Sequence, residues 1–200
     1  MEKRATTQFP LEALLARRWS PRAFAETPVS QADLGSLFEA ARWAPSSMNE
    51  QPWRFIVATR EDSLEYQRLL GCLVPSNQVW AKNASVLILA FARTALVRND
   101  KPNRHAFHDL GMAIENLLLQ AVSLGLQTHP MGGINHDEIR SAYAVPEAFE
   151  AVTAIAVGYP APVETLSQEL QVKESAERQR RPLRETFYRG AWGQTFDWLD

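Results

Sequence analysis

"HDLGMAIENLLLQAVSLGL", residues 108–126, is the stretch on which the fold turns. Leu110, Ile114, Leu117, Ala121 and Leu124 recur at intervals of four and three, the period of one helix face. Met112, Leu118 and Leu119 widen that face. A helix over roughly 104–124 that is apolar on more than one side is buried on more than one side, by its own core or by a partner subunit. Gly125 stands where a C-cap glycine would end it.

Outward from this helix, "SVLILAF" reads as a buried strand, and "PWRFIVA" and "AVTAIAVGYP" as two more, the last stopped by Gly158 and Pro160. "DSLEYQRLLGCL" reads as a short helix. Leu34, Leu37, Phe38 and Ala41 make an apolar stripe behind Ser30 and Asp33, which resemble a capping box. Asn135 with Glu138 marks another helix start. Pro10 suits a helix beginning, and that helix ends before Pro21. Strands and helices mix without a strict β-α-β rhythm, which favours an α+β fold. The chain of 200 residues suits one domain, 1–200. Beyond Pro162 the apolar pattern thins, so 163–200 reads as a C-terminal arm that docks on a partner.

Composition removes several classes. A net charge of −2 gives no global attraction to nucleic acid or to an anionic membrane. No run approaches the roughly 20 apolar residues of a membrane span. "MEKRATTQFPLEALLARR" lacks the apolar core of a signal peptide, so the cytoplasm is expected. The one cysteine, Cys72, permits no disulfide framework and reads as core filler. There is no G-x-S-x-G elbow, no G-x-G-x-x-G and no phosphate-binding Walker loop. His105 and His108 have a spacing that can share a metal, but two ligands do not make a site, and no metal is expected.

Three stretches carry candidate chemistry. "ARRWSPRAF" places Arg18, Ser20 and Arg22 at alternate positions, on one side of an extended segment. Two guanidiniums and a hydroxyl so placed suit a phosphate dianion. A solvated basic turn explains the spacing as well. "WAPSSMNEQPWRF" offers Ser46, Ser47, Asn49 and Gln51 to a polar heterocycle, or uses them on its own backbone. In "HPMGGI", Gly132 and Gly133 allow close approach of a flat ligand, or form a simple turn.

Taken together, "RWSPRAF", "AARWAPSSMNEQPWRFIV", "NQVWAKNASVLIL", "DLGMAIENLLLQAVSLGLQTHPMGGI", "AVGYP" and "RRPLRETFYRGAWG" resemble the nitroreductase family of FMN-dependent oxidoreductases. The pieces follow the family's order and cover roughly residues 16–193. The resemblance implies an α+β fold with a central, mostly antiparallel sheet flanked by helices, in an intertwined homodimer. Two FMN sites then lie in the dimer interface, and the C-terminal arm embraces the partner. Arg18, Ser20 and Arg22 match the first FMN motif, and Trp19 occupies a cofactor-binding place within it often held by Arg or His. Pro45, Ser46, Ser47 and Asn49 match a second, which commonly reaches the FMN of the other subunit. Asn77 matches a polar residue at the pyrimidine edge. Pro130, Met131, Gly132 and Gly133 match the segment against the flavin ring. Arg178 and Arg180 match residues that grip the phosphate, with Arg181 the alternative to Arg180.

Trp19, Gly132 and Trp80 depart from residues common in relatives. The implied activity is hydride transfer from NADH or NADPH, through the flavin, to a nitroaromatic, quinone or related conjugated or carbonyl acceptor. The flavin carries the chemistry, so no catalytic side chain is expected. Relatives with oxidase, dehydrogenase, dehalogenase or flavin-fragmenting chemistry form the alternative, and a non-catalytic binding protein is a third reading.

Overall fold

The computed structural model describes residues 2–199. Its centre is one four-stranded sheet of order β1-β2-β4-β3, from Trp53–Thr59, Val86–Arg93, Phe149–Gly158 and Gln127–Met131 in that order. Every neighbouring pair is antiparallel. β2 and β4 are the inner strands, and β2 is buried along nearly its whole length. That is why "SVLILAF" is a continuous apolar run rather than an alternating one.

Helices cover both faces. α2 (Gln31–Arg42) and α5 (Ala106–Ser123) pack on the face carrying Val86, Ile88, Ala90, Ile155 and Val157. α3 (Ser63–Gly71) and α4 (Pro75–Ala81) cover the other, with Leu87, Leu89, Phe91, Ala154 and Ala156. α6 (His136–Tyr143) adds Ile139 to this second layer, and α7 (Gln168–Ser175) adds Leu170. A bulge at Val152 lets Ala151 and Ala154 face the same layer, because Thr153 sits opposite Ala90 and Ala151 opposite Phe91. Cys72 is fully buried here, and burial pushes its thiol pKa up, as suits a core residue.

The local signals work as read, with refinements. Ser30 caps α2 by accepting from the Asp33 N–H at 3.0 Å. Its hydroxyl also donates to the Asp33 carboxylate at 2.8 Å. Asn135 caps α6 through the Glu138 N–H, and Gly125 follows α5 at φ +76°. α1 is only Ala13–Arg17, with Leu11 and Leu15 exposed. β3, α4 and α7 have no counterpart in the sequence reading. β3 contains Pro130, which an edge strand tolerates because one of its sides needs no ladder donor.

α5 buries Ala106, Leu110, Ala113, Leu117 and Ala121 along one stripe, while Met112, Ile114 and Leu119 stay partly exposed. The surplus apolar surface of the sequence is therefore left over within one chain. No helix among the described residues is long and apolar enough to cross a membrane. Leu117, 1% exposed beneath the sheet, should be the most sensitive point of the stripe. Leu117→Ala is expected to lower the unfolding free energy by about 2–5 kcal/mol, read from urea titration.

Candidate functional site

The chain leaves α1 before Pro21 and runs extended from Arg18, so its side chains alternate. Arg18, Trp19, Ser20 and Arg22 all line a cavity of about 210 Å³. Arg178, Arg180, Lys3, Lys173 and Glu174 complete its wall. Six cationic side chains thus surround one carboxylate. Arg180, not Arg181, is the member of the pair that lines it. Arg18 Nη1 donates to Ser20 Oγ at 3.4 Å. Arg178 Nη1 donates to the carbonyls of Lys3 (2.6 Å) and Ala16 (2.9 Å), tying the C-terminal segment to α1. Burial lowers the Arg178 pKa, and the positive Arg18 and Arg180 lower it further. Cations crowded in this way repel one another, and an anion between them would relieve that repulsion.

The lone carboxylate is already engaged. Glu174, on α7 and 2% exposed, accepts from the N–H groups of Arg22 (2.8 Å) and Ala23 (3.2 Å). His129, on β3, bonds the Pro21 carbonyl through Nδ1 at 2.9 Å and lies 4.4 Å from the Trp80 ring. A carbonyl only accepts, so the His129 proton sits on Nδ1. Burial is the main cause that lowers its pKa from 6.5 to about 4. The Pro21 bond opposes this, and the nearby Arg22 and Arg18 add to it. Trp80 is a core residue, with the Arg22 guanidinium 6.0 Å from its ring centroid.

Two residues beyond His129, the chain reaches Met131, buried at the end of β3, and then Gly132 and Gly133. A Cβ on Gly132 would meet nothing within 4 Å. One on Gly133 would lie 2.7 Å from both Asn77 Nδ2 and Val74 Cγ2. Close packing therefore requires the second glycine, and the first faces open space. Asn77 Nδ2 donates to the Gly133 carbonyl at 3.2 Å, and so holds this segment in place.

The Pro45–Asn49 stretch is fastened elsewhere. Ser47 N–H donates to Asp109 Oδ2 at 2.9 Å, and His108 Nδ1 lies 2.9 Å from Asp109 Oδ1. Asp109 is buried in the first turn of α5. Ser46 Oγ accepts from Gln51 N–H, and Gln51 Nε2 donates to the Asn49 carbonyl, both at 3.0 Å. Met48, Asn49 and Gln51 all have positive φ (54°, 56° and 47°), a concentration of backbone strain that favours function over filler. The loop leads into β1, whereas His129 to Met131 end β3 and Gly132 and Gly133 follow it, at the opposite edge of the sheet. Three strand spacings, about 14 Å, separate the two edges.

Sequence reasoning missed Glu174, His129, Lys3 and Asp109 as parts of the site. Glu174 lies about 150 residues from its partners, on a helix without an apolar stripe, and no local signal marks it. Asp109 was legible as a carboxylate inside an apolar helix face. Among the described residues, no group of three or more His, Cys, Asp or Glu side chains is placed to hold a metal.

The chain is similar to known proteins in both sequence and fold. The nitroreductase family model matches residues 15–159. An Archaeoglobus fulgidus protein assigned as a NADH dehydrogenase/NAD(P)H nitroreductase is 30% identical over 157 residues, 75% of this chain and 84% of that protein. The Bacillus subtilis FMN reductase [NAD(P)H] is 28% identical over 160 residues, 71% of this chain and 62% of the reductase. A crystal structure described as an oxidoreductase containing FMN superposes with a TM-score of 0.89 at 34% identity, covering 95% of this chain and 96% of the other.

Burial of His129 should make the stability of the fold depend on pH. Its folded pKa, about 4, lies below the unfolded 6.5, so the unfolded chain binds more protons between these values. Stability should therefore fall as pH drops from 6.5 toward 4, by on the order of 3 kcal/mol from this group. His129→Asn, whose amide nitrogen takes the place of Nδ1 and can still donate to Pro21, should flatten that part of the profile in urea titrations at stepped pH.

Proposed function

The chain belongs to the nitroreductase family, and from that premise we propose that it is an FMN-dependent oxidoreductase. It would transfer hydride from NADH or NADPH to a nitroaromatic, quinone or related conjugated or carbonyl acceptor. The observation that carries this reading is the gathering of six cations around one small cavity, beside a glycine segment with open space above Gly132. A cavity of about 210 Å³ lined by four arginines, two lysines and a serine hydroxyl fits a phosphate with its ordered waters. The names of the compared proteins, with FMN and NAD(P)H in them, support the same cofactors.

Bound FMN supplies the hydride chemistry, which frees the chain from providing an acid, base or nucleophile. Arg18, Ser20, Arg22 and Arg180 would hold the phosphate, with Lys3 and Arg178 adding positive charge. Trp19 would form the floor below them. Pro130, Met131, Gly132 and Gly133 would lie against the flat ring, with Asn77 holding Gly133 in register. His129 stays neutral near pH 7 and donates its Nδ1–H to the Pro21 carbonyl, which orients the loop that carries Arg22.

We propose further that the working unit is a homodimer. The wall at Pro45, Ser46, Ser47 and Asn49 stands at the other sheet edge from the arginine cavity, so a second copy is needed to bring both walls to one ligand. The half-exposed Met112, Ile114 and Leu119 of α5 support the same arrangement. The 163–200 arm would embrace the partner chiefly through its stretch beyond α7, where Phe187 and Trp192 are exposed.

The purified protein should show a flavin spectrum that bleaches rapidly when titrated anaerobically with NADH or NADPH. A colourless protein that stays colourless with added FMN would overturn the proposal. Arg22→Ala should weaken FMN binding by about 10- to 100-fold, the worth of a hydrogen bond to a charged group. The same flavin content as wild type after gel filtration would count against the phosphate assignment. Asn49→Ala should lose flavin at a temperature where its circular dichroism still matches the wild type.

A further inference from the structure

A buried carboxylate is out of place on charge alone in a cavity built for an anion. At close range it repels a phosphate, and its burial is unfavourable unless hydrogen bonds offset it. Glu174 meets the second condition fully. Oε1 accepts from Arg22 N–H at 2.8 Å and Ala23 N–H at 3.2 Å, and Oε2 accepts from Arg22 N–H at 3.0 Å. Oε2 also lies 3.7 Å from Arg22 Nη1. The same carboxylate thus holds both the backbone and the guanidinium of one residue.

The neighbouring bonds complete a clamp. The Pro21 carbonyl is held by His129, and the Ala23 carbonyl accepts from Ala161 N–H at 3.0 Å. Lys3 Nζ donates to the Glu174 carbonyl at 2.6 Å and also to that of Ala176, which fastens the end of α7. Among the phosphate-side residues, Arg22 alone has both its peptide N–H and its side chain on the same buried acid.

We propose that Glu174 is a positioning residue, which aims Arg22 at the phosphate of the bound flavin and holds it there at the expense of direct electrostatic attraction. The inference rests on the FMN reading above, with the arginine cavity as the phosphate seat. It makes a sign prediction. If charge in the cavity dominated, neutralising Glu174 would tighten anion binding. If positioning dominates, neutralising it weakens binding, and only for ligands that carry the phosphate.

The test compares FMN with riboflavin, which lacks the phosphate, by quenching of flavin fluorescence on the full chain freed of its flavin. Wild type should bind FMN more tightly than riboflavin. Glu174→Gln, with no charge to hold the guanidinium, should weaken FMN about tenfold and shift riboflavin by less than about twofold. Glu174→Asp keeps the charge but falls one methylene short, and should also weaken FMN selectively. If the glutamine variant does not fold, the aspartate variant decides alone. In an Arg22→Ala background, Glu174→Gln should have no further effect on FMN, because its partner is gone.

Unchanged or tighter FMN binding in Glu174→Gln, or an equal loss for both ligands, overturns the proposal while leaving the FMN site standing. Wild type that binds FMN no more tightly than riboflavin overturns the phosphate seat itself, and the role of Glu174 with it.

Discussion

Burial of β2 on both faces is the constraint on which the structure depends. From Val86 to Ala92 no residue is more than 3% exposed, and the strand has antiparallel partners on both sides. A strand in that position cannot leave either face to water, so α2 and α5 must cover one face and α3 and α4 the other. Both inner places of the sheet are then filled by β2 and β4, and the edges fall to β1 and β3. The segment entering β1 forms one polar wall and the Arg18–Arg22 stretch, held beside β3 by His129, forms the other, and the sheet between keeps them apart within one chain.

Both walls are secured by the same physical device. A buried carboxylate accepts backbone N–H groups of the loop that forms the wall: Glu174 for Arg22 and Ala23, Asp109 for Ser47. The hydrogen bonds satisfy the acid and hold the loop together. The two acids come from helices in different layers, α7 and α5, so each wall is fixed to the core behind it. Order at the cavity thus comes from the packed layers, although its lining is charged and open to solvent.

Local chemistry was legible where neighbours in sequence decide it. The caps at Ser30 and Asn135, the glycine after α5 and the three apolar strands could be read because their determinants lie within a few residues. Arg18, Ser20 and Arg22 could be read as sharing a side because an extended chain alternates. β3 was not legible: "QTHPM" has a proline and no apolar alternation, and it is a strand only because β4 offers it a ladder on one side. Nor was it clear which glycine matters. Gly133 is packed against Val74 and Asn77, 59 and 56 residues upstream, while a side chain on Gly132 would meet nothing.

By itself the sequence determined the α+β class, the surplus apolar side of the long helix and the residue types that suit an anionic, planar ligand. Periodicity and composition are enough for these, because they follow from local backbone geometry and from the transfer of side chains out of water. Only the tertiary structure decided which cations share a cavity, which carboxylates hold the loops, and that the two walls stand at opposite edges of one sheet. Those outcomes depend on the order in which strands pair, and that order is set by contacts between residues far apart in the chain, which leave no mark on local pattern.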